Sequence, residues 1–348
     1  LKEIINKEYN NVVMLILDGM GENVLSYNSP NGIFEKNKVC DITSVFPSTT
    51  TAAMTTYYSG KPPIETGWIA WTQYFKEYGK YVNVLAEEDD LSGEMLKQKD
   101  LKIADIIGYK PIYEKILEKN KDVQVCEIMP EYCRKITISA NNIDEVCYGI
   151  STICSCNKKK NFVFAYCDNP DGILHKTGCH SPETKEFIRM AENRVEQLID
   201  ELRGTNTLLI ISADHGHNDI KEKISIMDLP EIEDCLIMLP SLEARAISFN
   251  VKEDRKQDFE NEFNKRFKDT YILYTKEDFI KSGLMGNGKR HRKIDDFIGN
   301  YVAIAVSDTI IALENYSNME RKRKSEKKST HCGLTRNEML VPVIAFEI

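Results

Sequence analysis

The chain is predicted to be an α/β protein, a mostly parallel central sheet flanked by helices, with a smaller α+β unit inserted late in the sequence. Three observations predict this. Short, continuously apolar runs recur along the chain, amphipathic helical patterns lie between them, and a charged strand-helix-strand stretch interrupts the series before its last member. A length of 348 residues is enough to bury a large core and to carry such an insertion.

The first run, residues 12–17 (Val-Val-Met-Leu-Ile-Leu), has no polar position, as expected of a parallel strand covered on both faces. Runs of the same kind recur at 123–128, 162–166, 208–211 and 341–346. The clearest helix is 182–203, where Phe187, Met190, Ala191, Val195, Leu198, Ile199 and Leu202 are placed on one face, Ser181 at the N-cap and Gly204 just past the end. A shorter helical segment, 52–58, follows Phe46-Pro47-Ser48-Thr49-Thr50-Thr51 and stops at Gly60. Later, 244–251 alternates like a half-buried strand, 252–267 reads as a charged amphipathic helix, and 271–274 is strand-like again. This defines an inserted lid subdomain at 239–297 within a core of 1–238 and 298–348, with Gly283, Gly286 and Gly288 at its exit.

Composition excludes some classes. A formal charge of −8 argues against a general nucleic-acid binder, and no run of about 18 apolar residues is present to span a membrane. The first eleven residues are polar and charged, which is not a signal-peptide pattern. Ten cysteines are dispersed without a Cys-x-x-Cys pair, several inside apolar runs, and the expectation is free thiols in a reducing cytoplasm. The oligomeric state is not encoded in any of these features.

Chemistry concentrates at the strand ends. Asp18 follows the first run, Asp171 and His175 follow the 162–166 run, Asp214, His215 and His217 follow the 208–211 run, and His331 precedes the last. Four of the six histidines lie in these segments. In open parallel sheets ligands bind beyond the carboxyl ends of the strands, so these residues are expected to converge on one rim. Asp oxygens and His nitrogens suit zinc, and two such ions about 4 Å apart can clamp the attacking and leaving oxygens of a phosphoryl displacement. Three aspartates alone would repel an anionic substrate. Under two divalent cations they leave one positive charge, which a deprotonated hydroxyl brings to zero. The Ser/Thr cluster before the 52–58 helix offers that hydroxyl at a helix N-terminus, though such clusters also serve simply as N-caps.

The ordered set resembles the alkaline phosphatase superfamily, most closely its type I phosphodiesterase and nucleotide pyrophosphatase branch. The resemblance rests on Asp18-Gly19-Met20-Gly21, on Phe46-Pro47-Ser48-Thr49-Thr50 with Ser59-Gly60 nine residues on, and on Tyr166-Cys167-Asp168-Asn169-Pro170-Asp171 with His175 and Gly178. Asp214-His215-Gly216 and His331-Cys332-Gly333-Leu334 complete it. It implies an alkaline-phosphatase-like fold and two divalent ions, with zinc expected and manganese the alternative. One metal would be held by Asp171, His175 and His331, the other by Asp18, Asp214, His215 and the oxygen of Thr50, which would be the nucleophile. The implied partner is a small anionic phosphoester; phosphomonoesterase and phosphonate hydrolase activities are alternatives on the same site. A catalytically silent protein binding metal or a phosphate ligand is the alternative from another class. The chain departs from the branch at Ala53, where an Asn is usual, and at Cys332, where a Gly is usual.

Weaker signals are His217, as a donor to a ligand or a substrate contact, and His291, between Arg290 and Arg292, as a contact to the substrate's anionic part. Trp71, in the aromatic stretch Trp68, Trp71, Tyr74 and Phe75, either packs a loop or walls the leaving-group pocket. The basic run Arg321-Lys322-Arg323-Lys324 with Lys327-Lys328 reads as a solvated loop that could also steer anions.

Overall fold

The protein is described by a computed structural model covering residues 2–96, 102–133, 137–156, 159–312 and 327–348. The chain divides into two compact units. The first comprises Leu1–Ser44, Pro111–His217 and Leu340–Ile348, the second Val45–Lys110 and Asn218–Met339. Residues 239–297 lie inside the second unit. The basic residues Arg321 to Lys324 lie outside the described residues.

In the first unit seven strands form one sheet in the order Lys38–Thr43, Leu340–Glu347, Thr207–Ser212, Asn11–Leu17, Lys160–Cys167, Val123–Met129, Ile138–Ser139. The central strand Asn11–Leu17 is parallel to both neighbours, and the two strands beyond Lys160–Cys167 are parallel as well. Its apolar run has no polar position because both faces are covered. Val13, Leu15 and Leu17 share a core with Ile143, Val146 and Ile150 of the helix Ile143–Cys154. Phe187, Ile188, Ala191, Val195 and Leu198 of the helix Pro182–Glu201 join the same core.

That helix begins as its sequence requires, the Ser181 hydroxyl accepting the Thr184 N–H at 3.1 Å. Met190, placed on the apolar face by its sequence, is 42% exposed, and Ile188 is buried instead. The buried stripe is about 100° wide, and Met190 falls outside it on the side away from Ile188. The strand Leu340–Glu347 runs antiparallel to both neighbours although its sequence reads like the parallel runs. Burial on both faces writes the same apolar pattern whichever way the strand runs.

The second unit is built on an antiparallel sheet in the order Tyr271–Thr275, Tyr301–Ala305, Ala246–Phe249, Ser241–Glu243, Thr72–Phe75, Lys80–Asn83, Glu88–Asp89. Phe259, Phe263 and Phe267, spaced by four on the helix Lys256–Phe267, pack with Phe249, Tyr271 and Tyr301. The aromatic stretch near Trp71 continues into the strand Thr72–Phe75, which forms a hairpin with Lys80–Asn83. The helix Thr50–Ser59 ends at Gly60, whose φ of +66° is the left-handed conformation that glycine adopts without strain. Among the described residues no helix is long and apolar enough to cross a membrane. No two of the described cysteines form a disulfide.

Candidate functional site

Three parallel strands of the first unit deliver Asp18, Asp171 and Asp214 at their carboxyl ends, and backbone hydrogen bonds fasten the three turns together. Asp18 N–H donates to Cys167 O at 3.0 Å, Asp171 N–H to Asp18 O at 2.9 Å, and Gly19 N–H to Asp214 Oδ1 at 3.0 Å. The rim expected from topology is therefore a hydrogen-bonded assembly. Asp171 and His175 sit one turn apart on the helix Asp171–Thr177, which puts both side chains on one face.

Each buried carboxylate has one oxygen held by the protein and one turned toward a common point. Asp214 Oδ1 accepts from Gly19 N–H and from His215 N–H at 2.9 Å, while its Oδ2 is buried with no hydrogen-bond partner. The Tyr166 hydroxyl donates to Asp18 Oδ2, and Asp18 Oδ1 is likewise buried without a partner. His215 is fully buried. Its Nδ1 lies 3.1 Å from Gly216 O, which assigns the proton to Nδ1 and the lone pair to Nε2. His215 Nε2 stands 3.4 Å from Asp18 Oδ1 and 3.4 Å from Asp214 Oδ2.

Three acceptor atoms thus converge, an arrangement that repels itself unless a proton or a cation stands between. Ligand atoms about 2.1 Å from a tetrahedral zinc are about 3.4 Å apart, so the spacing fits a divalent ion. Burial, followed by the carboxylates of Asp214 and Asp171, pushes the Asp18 carboxyl well above the usual range, as expected for clustered acids with no counter-charge. Burial, followed by the carboxylates of Asp18 and Asp214, raises the Tyr166 hydroxyl well above its ordinary value, so it remains a proton donor.

A second group lies beside the first. Asp171, His215 and His217 present donor atoms within 4.8 Å of one another, and His175 Nε2 is 3.3 Å from Asp171 Oδ1. His217 is fully buried with its Nε2 2.7 Å from the same Asp171 oxygen. The first unit therefore brings together Asp18, Asp171, His175, Asp214, His215 and His217.

Within the second unit, Thr50 is the first residue of the helix Thr50–Ser59, and Thr49 is its N-cap. No side-chain cap bond forms there; the Thr49 hydroxyl instead donates to Glu243 Oε1 at 3.2 Å. The same oxygen accepts the Trp71 N–H at 2.6 Å, so exposed Trp71 is fastened beside the threonine segment. Ala53, where the family pattern has Asn, is buried and offers the helix start no side-chain donor. His331 belongs to the same neighbourhood: its Nδ1 lies 3.1 Å from Ser48 O, and the Ser48 hydroxyl donates to Gly333 O at 3.1 Å. Nδ1 carries the proton in that bond, leaving the Nε2 lone pair for a ligand role.

A buried ion pair supports this loop. Arg245 donates to both Glu338 oxygens, at 2.5 and 2.7 Å, and Glu338 also accepts the Gly333 N–H at 2.7 Å. Cys332, standing where the family pattern has Gly, has φ +92° and is fully buried in an apolar cluster. A side chain held there stores roughly 1–3 kcal/mol of backbone strain. Burial raises its thiol well above the ordinary value, so it is a neutral core residue. His291 is half-buried against Gly67, its Nδ1 accepting the Lys293 N–H at 3.2 Å, and burial with Arg292 and Lys293 lowers its pKa.

Tyr166, Glu243, Arg245 and Glu338 were not singled out from sequence. Tyr166 lies inside a motif quoted for its acids, where its five-residue offset from Asp171 was the available signal. For the others no local pattern exists, since their partners are distant in the chain.

A family profile described as type I phosphodiesterase / nucleotide pyrophosphatase matches residues 12–332. A search of curated proteins finds no match. Among solved structures, murine ectonucleotide pyrophosphatase / phosphodiesterase 5 is similar at 18% identity and TM-score 0.68, covering 96% of this chain and 87% of that one. An inactive threonine-to-alanine form of it in complex with AMP matches at 17% identity and TM-score 0.68, over 97% and 88% of the two chains. Phosphonoacetate hydrolase from Sinorhizobium meliloti 1021, in complex with phosphonoformate, matches at 14% identity and TM-score 0.69, over 96% and 89%. These likenesses agree on an alkaline-phosphatase-like fold, and with the family profile spanning nearly the whole chain, the protein belongs to the type I phosphodiesterase / nucleotide pyrophosphatase family.

Proposed function

We propose that the protein is a two-metal phosphoester hydrolase that works through a covalent phosphothreonine at Thr50. The observation that carries the reading is the convergence of Asp18 Oδ1, Asp214 Oδ2 and His215 Nε2, three buried acceptors at cation spacing. On the family pattern Asp18, Asp214, His215 and Thr50 would hold one ion, and Asp171, His175 and His331 would hold the other. When bound, the two divalent ions, zinc or manganese, supply the positive charge that lets a phosphate ester and a deprotonated hydroxyl share the site.

Thr50 loses its hydroxyl proton to solvent and its Oγ1 bonds to phosphorus as the opposite ester bond breaks, the departing oxygen taking its proton from water. Water then cleaves the Thr50 phosphoester and restores the hydroxyl. The N-terminal end of the Thr50–Ser59 helix carries the positive end of its dipole, which favours the phosphoryl oxygens. That a threonine-to-alanine form of the murine relative is inactive supports the assignment of Thr50. The substrate is a small anion, with residues 239–297, Trp71, His291 and His217 proposed to influence its choice, and the cytoplasm is the proposed compartment.

Phosphonoacetate hydrolase among the similar structures favours a second reading, carbon-phosphorus cleavage on the same residues. The test compares a nitrophenyl monoester, a nitrophenyl diester and phosphonoacetate with metal-loaded wild type and Thr50→Ala. Turnover of at least one substrate, falling by about 1000-fold or more in the variant, is expected. Activity that survives in Thr50→Ala refutes the nucleophile, and no turnover of any of the three by either form favours a silent binding protein.

A further inference from the structure

We propose that His217 is a positioning residue for the first metal: its Nε2–H donates to Asp171 Oδ1 and holds that carboxylate in place for the ion before it binds. The proposal rests on the two-metal reading above. Two imidazoles face the same oxygen at different distances. His175 Nε2 is 3.3 Å away, close to the separation of about 3.4 Å expected for two ligands on one tetrahedral ion. His217 Nε2 is 2.7 Å away, too close for a shared ion and the length of a charge-assisted hydrogen bond.

The surroundings build His217 into this position. It is fully buried, so its polar edge gains from a partner. Asn23 Nδ2 donates to its backbone carbonyl at 3.1 Å. Its ring lies against Gly19, where an added Cβ would stand 3.0 Å from His217 Cδ2 and 3.2 Å from Asp171 Cα. Gly19, which follows the ligand Asp18, has φ +75°, so this close approach and the backbone both call for glycine. Tyr166 donates to Asp18 and two backbone N–H groups to Asp214, each on the oxygen turned away from the cation position, whereas His217 donates to the Asp171 oxygen that His175 also faces. Each ligand carboxylate thus has a dedicated donor of its own, and such donors commonly set metal affinity by 10- to 100-fold.

The test uses the full chain, stripped of metal and titrated with Co2+ against a competing chelator, with the visible absorption recorded at saturation. Wild type should take up two equivalents. His217→Leu should weaken one equivalent by roughly 10- to 100-fold and leave the other within about threefold, while His217→Gln, whose amide N–H reaches the same oxygen, should recover most of the loss. At saturation the Co2+ bands of all three should coincide, because the ligands are unchanged. Unaltered affinity in His217→Leu, or no recovery in His217→Gln, overturns the proposal. A changed saturated spectrum overturns it too, by making His217 a ligand. If His217→Leu does not fold, His217→Asn, whose amide falls short of Asp171, replaces it in the same comparison. Wild type that takes up no Co2+ refutes the two-metal reading itself, a failure distinct from the others.

Discussion

Replacing Arg245 by Met should destabilise the second unit by about 3–5 kcal/mol, because it strands a carboxylate in the core. The Arg245 side chain is 1% exposed and that of Glu338 is fully buried. The guanidinium donates to both Glu338 oxygens, to Thr309 O at 3.0 Å and to Ser307 O at 2.8 Å. In the variant Glu338 keeps Gly333 N–H, Thr335 N–H and the Thr335 hydroxyl, and Thr309 O keeps the Tyr271 hydroxyl, so the loss falls in the lower half of that range. Glu338→Leu should cost more, since it strands a guanidinium and also leaves Gly333 N–H without its acceptor. The double variant should recover most of the loss, because two apolar side chains of similar volume remove both buried charges. Both tryptophans, Trp68 and Trp71, lie in the second unit, so their fluorescence during urea unfolding reports on it directly. An Arg245→Met variant within about 1 kcal/mol of wild type would refute the reasoning, as would a double variant as unstable as the two losses added together.

Other predictions concern the ligand rim and its charges. Tyr166→Phe removes the side-chain hydroxyl that donates to Asp18 and should weaken one metal equivalent by roughly tenfold or more in a chelator competition; an unchanged midpoint would count against its role. Gly19→Ala forces a side chain into left-handed backbone between His217 and Asp171 and should cost about 1–3 kcal/mol in thermal unfolding, against which an unaltered Tm would tell. Chelation should lower the Tm, since metal at 100 times its Kd adds about 2.7 kcal/mol per site to the folded state; identical melting with and without EDTA contradicts a metal centre. For Glu77 and Asp296, burial acts to raise the carboxyls, but hydrogen bonds from Lys293 to both and from Lys76 to Asp296 lower them overall. Folded values below the unfolded ones mean that their stabilisation is present above about pH 4 and lost as pH falls further, and Lys293→Met should flatten that part of a Tm-against-pH profile.

The apolar runs of the first unit were legible because burial on both faces removes polar positions, and the candidate ligand residues were legible because they lie at the ends of those runs. Asp18, Asp171 and Asp214 needed only the rule that parallel sheets bind ligands at their carboxyl edge. The direction of Leu340–Glu347 was not legible, since an apolar run has no sign. The strand Thr72–Phe75 was hidden in an aromatic stretch whose partners, Lys80–Asn83 and Ser241–Glu243, flank it in the sheet but both follow it in sequence, far apart from each other.

By itself the sequence determined the candidate groups: oxygen and nitrogen side chains after apolar strands, a threonine at the start of a helix, and the order in which they come. Tertiary structure alone decided the support. Which oxygen of Asp18 and of Asp214 faces the cation position depends on Tyr166 and on the N–H groups of Gly19 and His215, and the placing of the Asp171 carboxylate depends on His217. The His331 loop depends on Arg245, Glu338 and Ser48. Candidate ligands follow from local residue type and strand position, whereas hydrogen-bond partners tens to hundreds of residues away have no local periodicity and exist only once the chain has folded.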